Sequence, residues 1–296
     1  MEVLKLKEAV FTGTATALIT PFTDEGLDFP ALDRLLRMQL DAGIPALVIC
    51  GTTGECSTLT REEKAQLWMH CVHFVDGACK IIAGVSSNNT AFAMELAQTA
   101  ERCGADAMLA VTPYYNKCTQ EGLISHYRHI ADSSSLPLIT YNVPSRTGLN
   151  MSTDTVRALS THPQINGIKE ASGNIGQCAH MCSIPNCYVW CGNDDQIIPM
   201  MSVGACGVIS VLSNLCPGIV KEMTDLCVEQ NYHKAACLQR QYLPLIDALF
   251  CEVNPIPIKA ALASQGLCKE ILRLPMEPLS EKGRKQLFGV MERCMI

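Results

Sequence analysis

An α/β fold is predicted for this sequence: a closed (β/α)8 TIM barrel with a small C-terminal helical domain. Three observations predict it. Eight short apolar runs recur along the chain up to about Gln230; a longer segment, helical in its periodicity, follows each run; and beyond Gln230 the alternation stops. Strands that alternate with helices build parallel sheets, and eight such units close the sheet into a barrel rather than leaving it open and doubly wound. A chain of 296 residues is long enough to bury one large core and carry an appendage.

The elements follow in order. Residues 14–20 form the first expected strand, with a helix beginning near Pro30. Residues 46–50 form the second, and the helix after it begins at Thr60. There Thr60-Arg61-Glu62-Glu63 has the form of a capping box, in which the threonine and the glutamate three residues on satisfy free backbone donors. Strands at 81–84, 107–111 and 138–141 lead into helices from Thr90, Gln120 and Ser152. Strands at 165–169, 188–191 and 207–211 lead into helices from Asn174, Asp194 and Pro217. The expected division is a catalytic barrel over residues 1–230 and a helical domain over 231–296, the latter broken at Asn254-Pro255-Ile256-Pro257, Pro275 and Pro278. The sequence shows no low-complexity segment, long linker or short repeat.

Composition excludes several classes. The formal charge is -6, and the basic residues are dispersed, so no cluster is present to neutralise a row of phosphates and nucleic acid is not an expected partner. The opening MEVLKLKEAVFTG has no apolar core or small-residue cleavage site, and no uncharged stretch is long enough to span a bilayer, which predicts a cytoplasmic enzyme without membrane attachment. The 17 cysteines are read as reduced thiols. Their densest group, Cys178, Cys182, Cys187 and Cys191, lacks the paired short spacing of a structural zinc site. His70 with His73 and His126 with His129 have helical spacing but no third ligand nearby in sequence, and are read as solvated helix faces rather than metal pairs.

In such a barrel the reacting groups sit at the C-terminal ends of the strands and in the loops that follow. Strand two runs into Gly51-Thr52-Thr53-Gly54-Glu55, strand four into Pro113-Tyr114-Tyr115-Asn116, strand five ends at Tyr141 and strand six at Lys169. Lys169 closes the apolar run Ile165-Asn166-Gly167-Ile168. An amine walled by apolar neighbours has its charged form disfavoured, so the nucleophilic neutral form becomes available for Schiff-base chemistry. The bland alternative is a solvated lysine at a strand end. Tyr141 stands one strand away, at about 4.8 Å, where a phenol can relay protons to and from an imine. The Gly51 loop offers two hydroxyls and open backbone amides, which suits a small carboxylate, and lacks the lysine of a P-loop. Asp194 and Asp195 follow strand seven, where many barrels hold phosphate, so a phosphorylated substrate is disfavoured. Arg146, on the proline-containing loop after Tyr141, is placed to grip a second carboxylate in bidentate fashion.

Seven strings carry a resemblance over nearly the whole chain: ALITPF from Ala17, GTTGE from Gly51, TPYYN from Thr112, YNVPSRTG from Tyr141, GIKEA from Gly167, GVISV from Gly207 and NPIPIK from Asn254. With these the sequence resembles the dihydrodipicolinate synthase and N-acetylneuraminate lyase superfamily of class I aldolases, and within it the synthase branch. The resemblance implies that Lys169 forms a Schiff base with pyruvate. It implies a proton relay of Thr53, Tyr141 and Tyr115, the last supplied by a neighbouring subunit. Thr52 and Thr53 would hold the pyruvate carboxylate, the Gly192 carbonyl and Ile209 would line the pocket, and Arg146 would bind the carboxylate of aspartate semialdehyde. The product would be 4-hydroxy-tetrahydrodipicolinate, on the diaminopimelate route to lysine. A homotetramer, as a dimer of dimers, is implied, and no metal or other cofactor.

Sialic acid lyases share the tyrosine and lysine but lack the arginine; they and aldolases of 2-keto-3-deoxy sugar acids are the alternative enzymes, and a non-catalytic keto-acid-binding barrel is the alternative without chemistry. The same resemblance marks a regulatory lysine site at Cys56, Ser57, Arg61, Lys64, Asn88, Phe92 and Tyr114. Lysine-inhibited members carry histidine where Arg61 and Lys64 stand and an acid at Phe92, so feedback by lysine is expected to be weak or absent here.

Overall fold

A computed structural model of the chain describes residues 7–294. Residues 1–6, part of the opening stretch read above for an export signal, lie outside them. Ten strands occur among the described residues: β1 Gly13–Ala17, β2 Phe22–Thr23, β3 Gly26–Leu27, β4 Ala46–Ile49, β5 Lys80–Gly84, β6 Ala107–Val111, β7 Leu138–Asn142, β8 Ile165–Glu170, β9 Tyr188–Cys191 and β10 Gly207–Ser210. Eight of them close a parallel barrel in the order β1-β10-β9-β8-β7-β6-β5-β4, with β4 returning to β1. The remaining two, β2 and β3, form a small antiparallel hairpin.

The helices are α1 Phe29–Asp41, α2 Arg61–Val75, α3 Thr90–Arg102, α4 Gln120–Asp132, α5 Pro144–Thr147, α6 Thr153–Ser160, α7 Ile175–Cys182, α8 Ile197–Ser202, α9 Pro217–Val228, α10 Tyr232–Leu249, α11 Ile256–Ser264 and α12 Glu281–Cys294. Several starts are set by side chains that take up free backbone donors. Thr60 accepts from the Glu63 amide at 3.1 Å, and the Glu63 carboxylate accepts from the Thr60 amide at 2.9 Å, completing the capping box. Asn89, Thr119, Ser152 and Asn174 cap α3, α4, α6 and α7, each cap contributing about 1 kcal/mol.

Two apolar layers hold the barrel. The larger lies between strands and helices; the smaller fills the interior with Ala15, Ala17, Val48, Leu109, Ile139, Trp190 and Ile209. Phe11 stacks on Trp190 at 5.2 Å, and the indole N–H donates to the Phe11 carbonyl at 3.2 Å, closing the N-terminal end. The open end is therefore the one where β4, β7 and β8 finish.

Several expectations are corrected. The first strand ends at Ala17, because the Leu18 amide turns to the Val48 carbonyl at 3.1 Å and the Ile19 amide to Asn214 Oδ1 at 3.0 Å. The β2–β3 hairpin was not legible from so short a pair of strands. After Tyr141 the chain forms the one-turn helix α5 rather than a loop, with Pro144 supplying the first turn and Gly148 at φ +67° ending it. The crossover from Asp194 begins as a 3-10 turn, Asp194–Gln196, before α8. His126 is buried and hydrogen-bonds Thr90 at 2.8 Å, so its face of α4 is packed against α3 and not solvated. All 17 cysteines are free thiols, and no group of three or more metal-binding side chains assembles among the described residues.

Candidate active site

Strand pairing puts the chemistry together. Tyr141 on β7 stands level with Lys169 on β8, and Lys169 level with Trp190 on β9. Side chains alternate along a strand. Lys169 therefore points into the barrel, while Glu170 points outward and accepts from Asn142 at 3.0 Å and from the Ser172 amide at 2.6 Å. The Lys169 ammonium lies 4.4 Å from the centre of the Tyr141 ring.

Lys169 is only 6% exposed. Burial pulls its pKa from 10.5 down to about 8; Asp194 and Cys191 oppose that pull, and the Arg146 charge adds to it. Burial pushes the Tyr141 phenol up to about 12, with Arg146 partly offsetting it, so the phenol keeps its proton. The lysine is thus close to yielding a free amine at neutral pH, beside a phenol able to donate.

These groups line a cavity of about 230 Å3 at the C-terminal mouth, together with Thr52, Thr53, Arg146, Gly192 and Asn254. Among the described residues its wall carries two cations, Lys169 and Arg146, and no carboxylate, which fits anionic substrates. Arg146 on α5 donates to the Asn254 carbonyl at 3.2 Å. Gly192 is glycine for a reason of space: a Cβ there would lie 2.7 Å from Ala171 Cβ and 3.0 Å from Lys169 Cε. The lysine stem occupies the place of the missing side chain.

The sequence reading missed Asn254. It comes from the segment leading into α11, and its Nδ2 donates to Thr53 Oγ1 at 3.0 Å. A threonine hydroxyl that accepts there is left to point its own proton elsewhere. The Asn254 Oδ1 is buried without a partner. Glu55 was also missed: buried at φ +56°, it pairs with Lys259, itself wholly buried on α11, and accepts from the Arg273 amide at 3.1 Å. The signal was present in the two strings that contain them, GTTGE and NPIPIK, but only the fold brings the strings into contact.

Other expected residues separate. Ile209 does not line the cavity; it lies in the interior layer below, and Val211, two residues on and inward like it, forms the wall. Tyr115 is 94% exposed at φ +67° and takes no part in this chain's own cavity. Asp194 is buried, its Oδ2 accepting from the amides of Val211 and Leu212 at 3.0 and 2.8 Å. A carboxylate thereby holds donors of the kind that a phosphate would need. Of the set marked as regulatory, Cys56, Ser57, Lys64, Phe92 and Tyr114 line a second cavity of about 280 Å3. Arg61 does not; it is half exposed and lies 3.7 Å from Glu95. Asn88 instead braces the Tyr114 carbonyl at 3.2 Å.

A buried barrel-mouth lysine with a lowered pKa, a tyrosine in register and an acid-free cationic pocket define a Schiff-base-forming barrel of the class I aldolase kind. The chain belongs to the Dihydrodipicolinate synthetase family, whose pattern it matches over residues 10–293. It is 47% identical over 287 residues to the 4-hydroxy-tetrahydrodipicolinate synthase of Exiguobacterium sp. (strain ATCC BAA-1283 / AT1b), covering 96% of this chain and 98% of that one. Among solved structures it is similar to the 4-hydroxy-tetrahydrodipicolinate synthase of Methylacidiphilum fumariolicum SolV, with TM-score 0.95, 40% identity and 96% of each chain covered. It is also similar, at TM-score 0.94 and 39% identity, to a structure described as the first monomeric dihydrodipicolinate synthase variant, with 97% of this chain and 98% of that one covered. No helix among the described residues is long and apolar enough to cross a membrane.

Proposed function

We propose that this chain is a lyase that condenses pyruvate with L-aspartate 4-semialdehyde, giving 4-hydroxy-tetrahydrodipicolinate for diaminopimelate and lysine synthesis. The observation that carries the reading is Lys169, buried beside Tyr141 in a cavity whose charged lining, among the described residues, is positive. In this reading the neutral Lys169 amine attacks the pyruvate keto carbon. The carbinolamine loses water to an imine, a methyl proton leaves, and the enamine carbon attacks the aldehyde. The substrate nitrogen then displaces Lys169 in closing the ring, so that one water is lost overall.

Thr52 and Thr53 hold the pyruvate carboxylate, and Tyr141 with Thr53 moves the protons. Asn254 supports that role for Thr53, because an amide donor on one side of the hydroxyl aims its proton at the other. Arg146 takes the carboxylate of the semialdehyde. Tyr115 completes the relay from a partner subunit: a tyrosine almost wholly exposed, in a backbone conformation costly for any residue with a side chain, is better accounted for across an interface than on a free surface. The reading takes the enzyme as a homo-oligomer, a tetramer built as a dimer of dimers, with a catalytic barrel over residues 1–230 and a helical domain over 231–296, working in the cytoplasm.

Borohydride reduction in the presence of pyruvate, followed by mass analysis, tests the imine. A mass gain is expected on the Lys169 peptide and none in Lys169→Ala; no gain in the unaltered enzyme leaves only a keto-acid-binding barrel. A coupled assay with pyruvate and aspartate semialdehyde, beside cleavage of N-acetylneuraminate and 2-keto-3-deoxygluconate, tests the partner. Activity confined to a sugar acid overturns the assignment and keeps the imine.

A further inference from the structure

Cys178 and Cys182 stand four residues apart on α7, so they share one face of the helix on successive turns. Their sulfurs are 3.9 Å apart. Cys178 is wholly buried, and Cys182, the last residue of α7, is half-buried. A Cβ added at Gly204, where φ is +111°, would lie 3.6 Å from the Cys182 sulfur; glycine leaves that flank of the sulfur without a covering side chain. Nearby thiols are turned elsewhere: Cys191 donates to the Asn193 carbonyl at 3.0 Å and Cys206 to the Val189 carbonyl at 3.2 Å. Neither Cys178 nor Cys182 belongs to the wall of the reaction cavity. Both come from one helix of one chain, so the pair needs nothing from a partner subunit.

Distance decides what can join two such sulfurs. A disulfide needs its Cβ atoms about 3.5–4.5 Å apart, whereas positions i and i+4 of an intact helix hold them at about 5–6 Å. Direct oxidation of the pair is thus opposed by α7 itself. A bridging ion is not, since metal–thiolate bonds of about 2.3 Å reach sulfurs up to about 4.6 Å apart. The observed separation falls within that reach with the helix unchanged. Ligand number then selects the ion. Structural zinc and iron–sulfur clusters take four ligands, and no third metal-binding side chain joins the pair among the described residues. Copper(I) is soft, prefers thiolates and is satisfied by two.

We propose that Cys178 and Cys182 bind one copper(I) ion as a two-coordinate dithiolate. Two S–Cu bonds form, two S–H bonds break, and both protons leave to solvent, so the bound unit carries one net negative charge and no electron is transferred. The ion enters at half-buried Cys182 and is closed over by Cys178. The site stands apart from the condensation and does not depend on the role given to Lys169.

The test uses the full-length, reduced enzyme under argon, loaded with the copper(I) acetonitrile complex and challenged with the chromophoric chelator bicinchoninate. The unaltered enzyme is expected to withhold one equivalent of copper per chain more than Cys182→Ser does. Loss of one thiolate should weaken retention by about 100-fold or more, because the helix presents the second ligand at high effective concentration. Cys178→Ala should lose the same equivalent; should that buried change disturb folding, Cys182→Ser at the helix end carries the comparison alone. Cys237→Ser, which removes an exposed thiol on α10, should keep it. X-ray absorption of the loaded enzyme should show two sulfur neighbours around copper. The site is overturned if the unaltered enzyme yields all its copper to the chelator, if Cys182→Ser withholds as much as the unaltered enzyme, if Cys237→Ser also loses the equivalent, or if the absorption spectrum shows nitrogen or a third sulfur.

Discussion

A lysine amine becomes a nucleophile only when it sheds its proton, and Lys169 is held where shedding is easier. With its pKa at about 8, the neutral fraction falls about tenfold for each pH unit below that value. The rate of pyruvate adduct formation should therefore climb with pH, bend near 8 and level off above it; a bend near the ordinary lysine value of 10.5 would show that burial does not tune the amine. Asn254 makes a second claim on a single atom. Asn254→Asp keeps the shape but exchanges the donor for an acceptor, so the Thr53 proton turns toward residue 254 and away from the cavity. A fall in kcat of about 100-fold with little change in KM for pyruvate is expected, the size of one proton-transfer contribution. Unchanged kcat in steady-state assays would reduce Asn254 to a packing residue.

Among the elements, β8 and the turn after β9 act as one device. The register that levels Lys169 with Trp190 carries the lysine stem over residue 192, two positions further along. In Gly192→Ala the new methyl would meet Lys169 Cε at 3.0 Å and Ala171 Cβ at 2.7 Å, and the stem must move. Shifts of about 1 Å at a reacting group cost about 100-fold in rate, so adduct formation should slow to that degree while the fold survives. Stopped-flow absorbance with pyruvate would measure it, and a normal rate would mean that the stem has room to spare. Helix α5 serves Arg146 similarly: a single turn, started by Pro144, fixes its direction better than an open loop would.

The whole molecule joins barrel to C-terminal helices through buried charge. Lys259 on α11 pairs with Glu55 of the Gly51 loop and donates to the Ile271 carbonyl at 2.7 Å, while Arg273 reaches Glu63 at 2.7 Å and the Thr58 carbonyl at 2.9 Å. Burial lowers the Lys259 pKa and Glu55 opposes that shift, so the ion pair depends on the partner remaining. Lys259→Ala leaves Glu55 buried and unpaired and should cost about 3–5 kcal/mol in urea denaturation, whereas the double change Lys259→Met with Glu55→Gln should recover much of it. Equal losses in both would place the stabilisation in packing rather than charge. The same contact holds the loop that carries Thr52 and Thr53, so the segment beyond residue 230 shapes the site although, among its described residues, only Phe250 and Asn254, between α10 and α11, reach the wall.

Much of this was legible along the chain because it depends on near neighbours. Alternating apolar runs mark the eight barrel strands, the caps at Thr60, Asn174 and Ser152 are local hydrogen bonds, and a lysine closing an apolar run beside a strand ending in tyrosine announces its chemistry. What stayed hidden depends on contacts between residues far apart in sequence. Asn254 meets Thr53 across 201 positions, Glu55 meets Lys259 across 204, and Lys64 comes to share a cavity wall with Arg146. Residue types and their spacing by themselves determined the barrel, the amine and the family; folding alone decided which buried charges found partners and which face a cavity, because burial and the cost it sets on a charge exist only once distant segments pack.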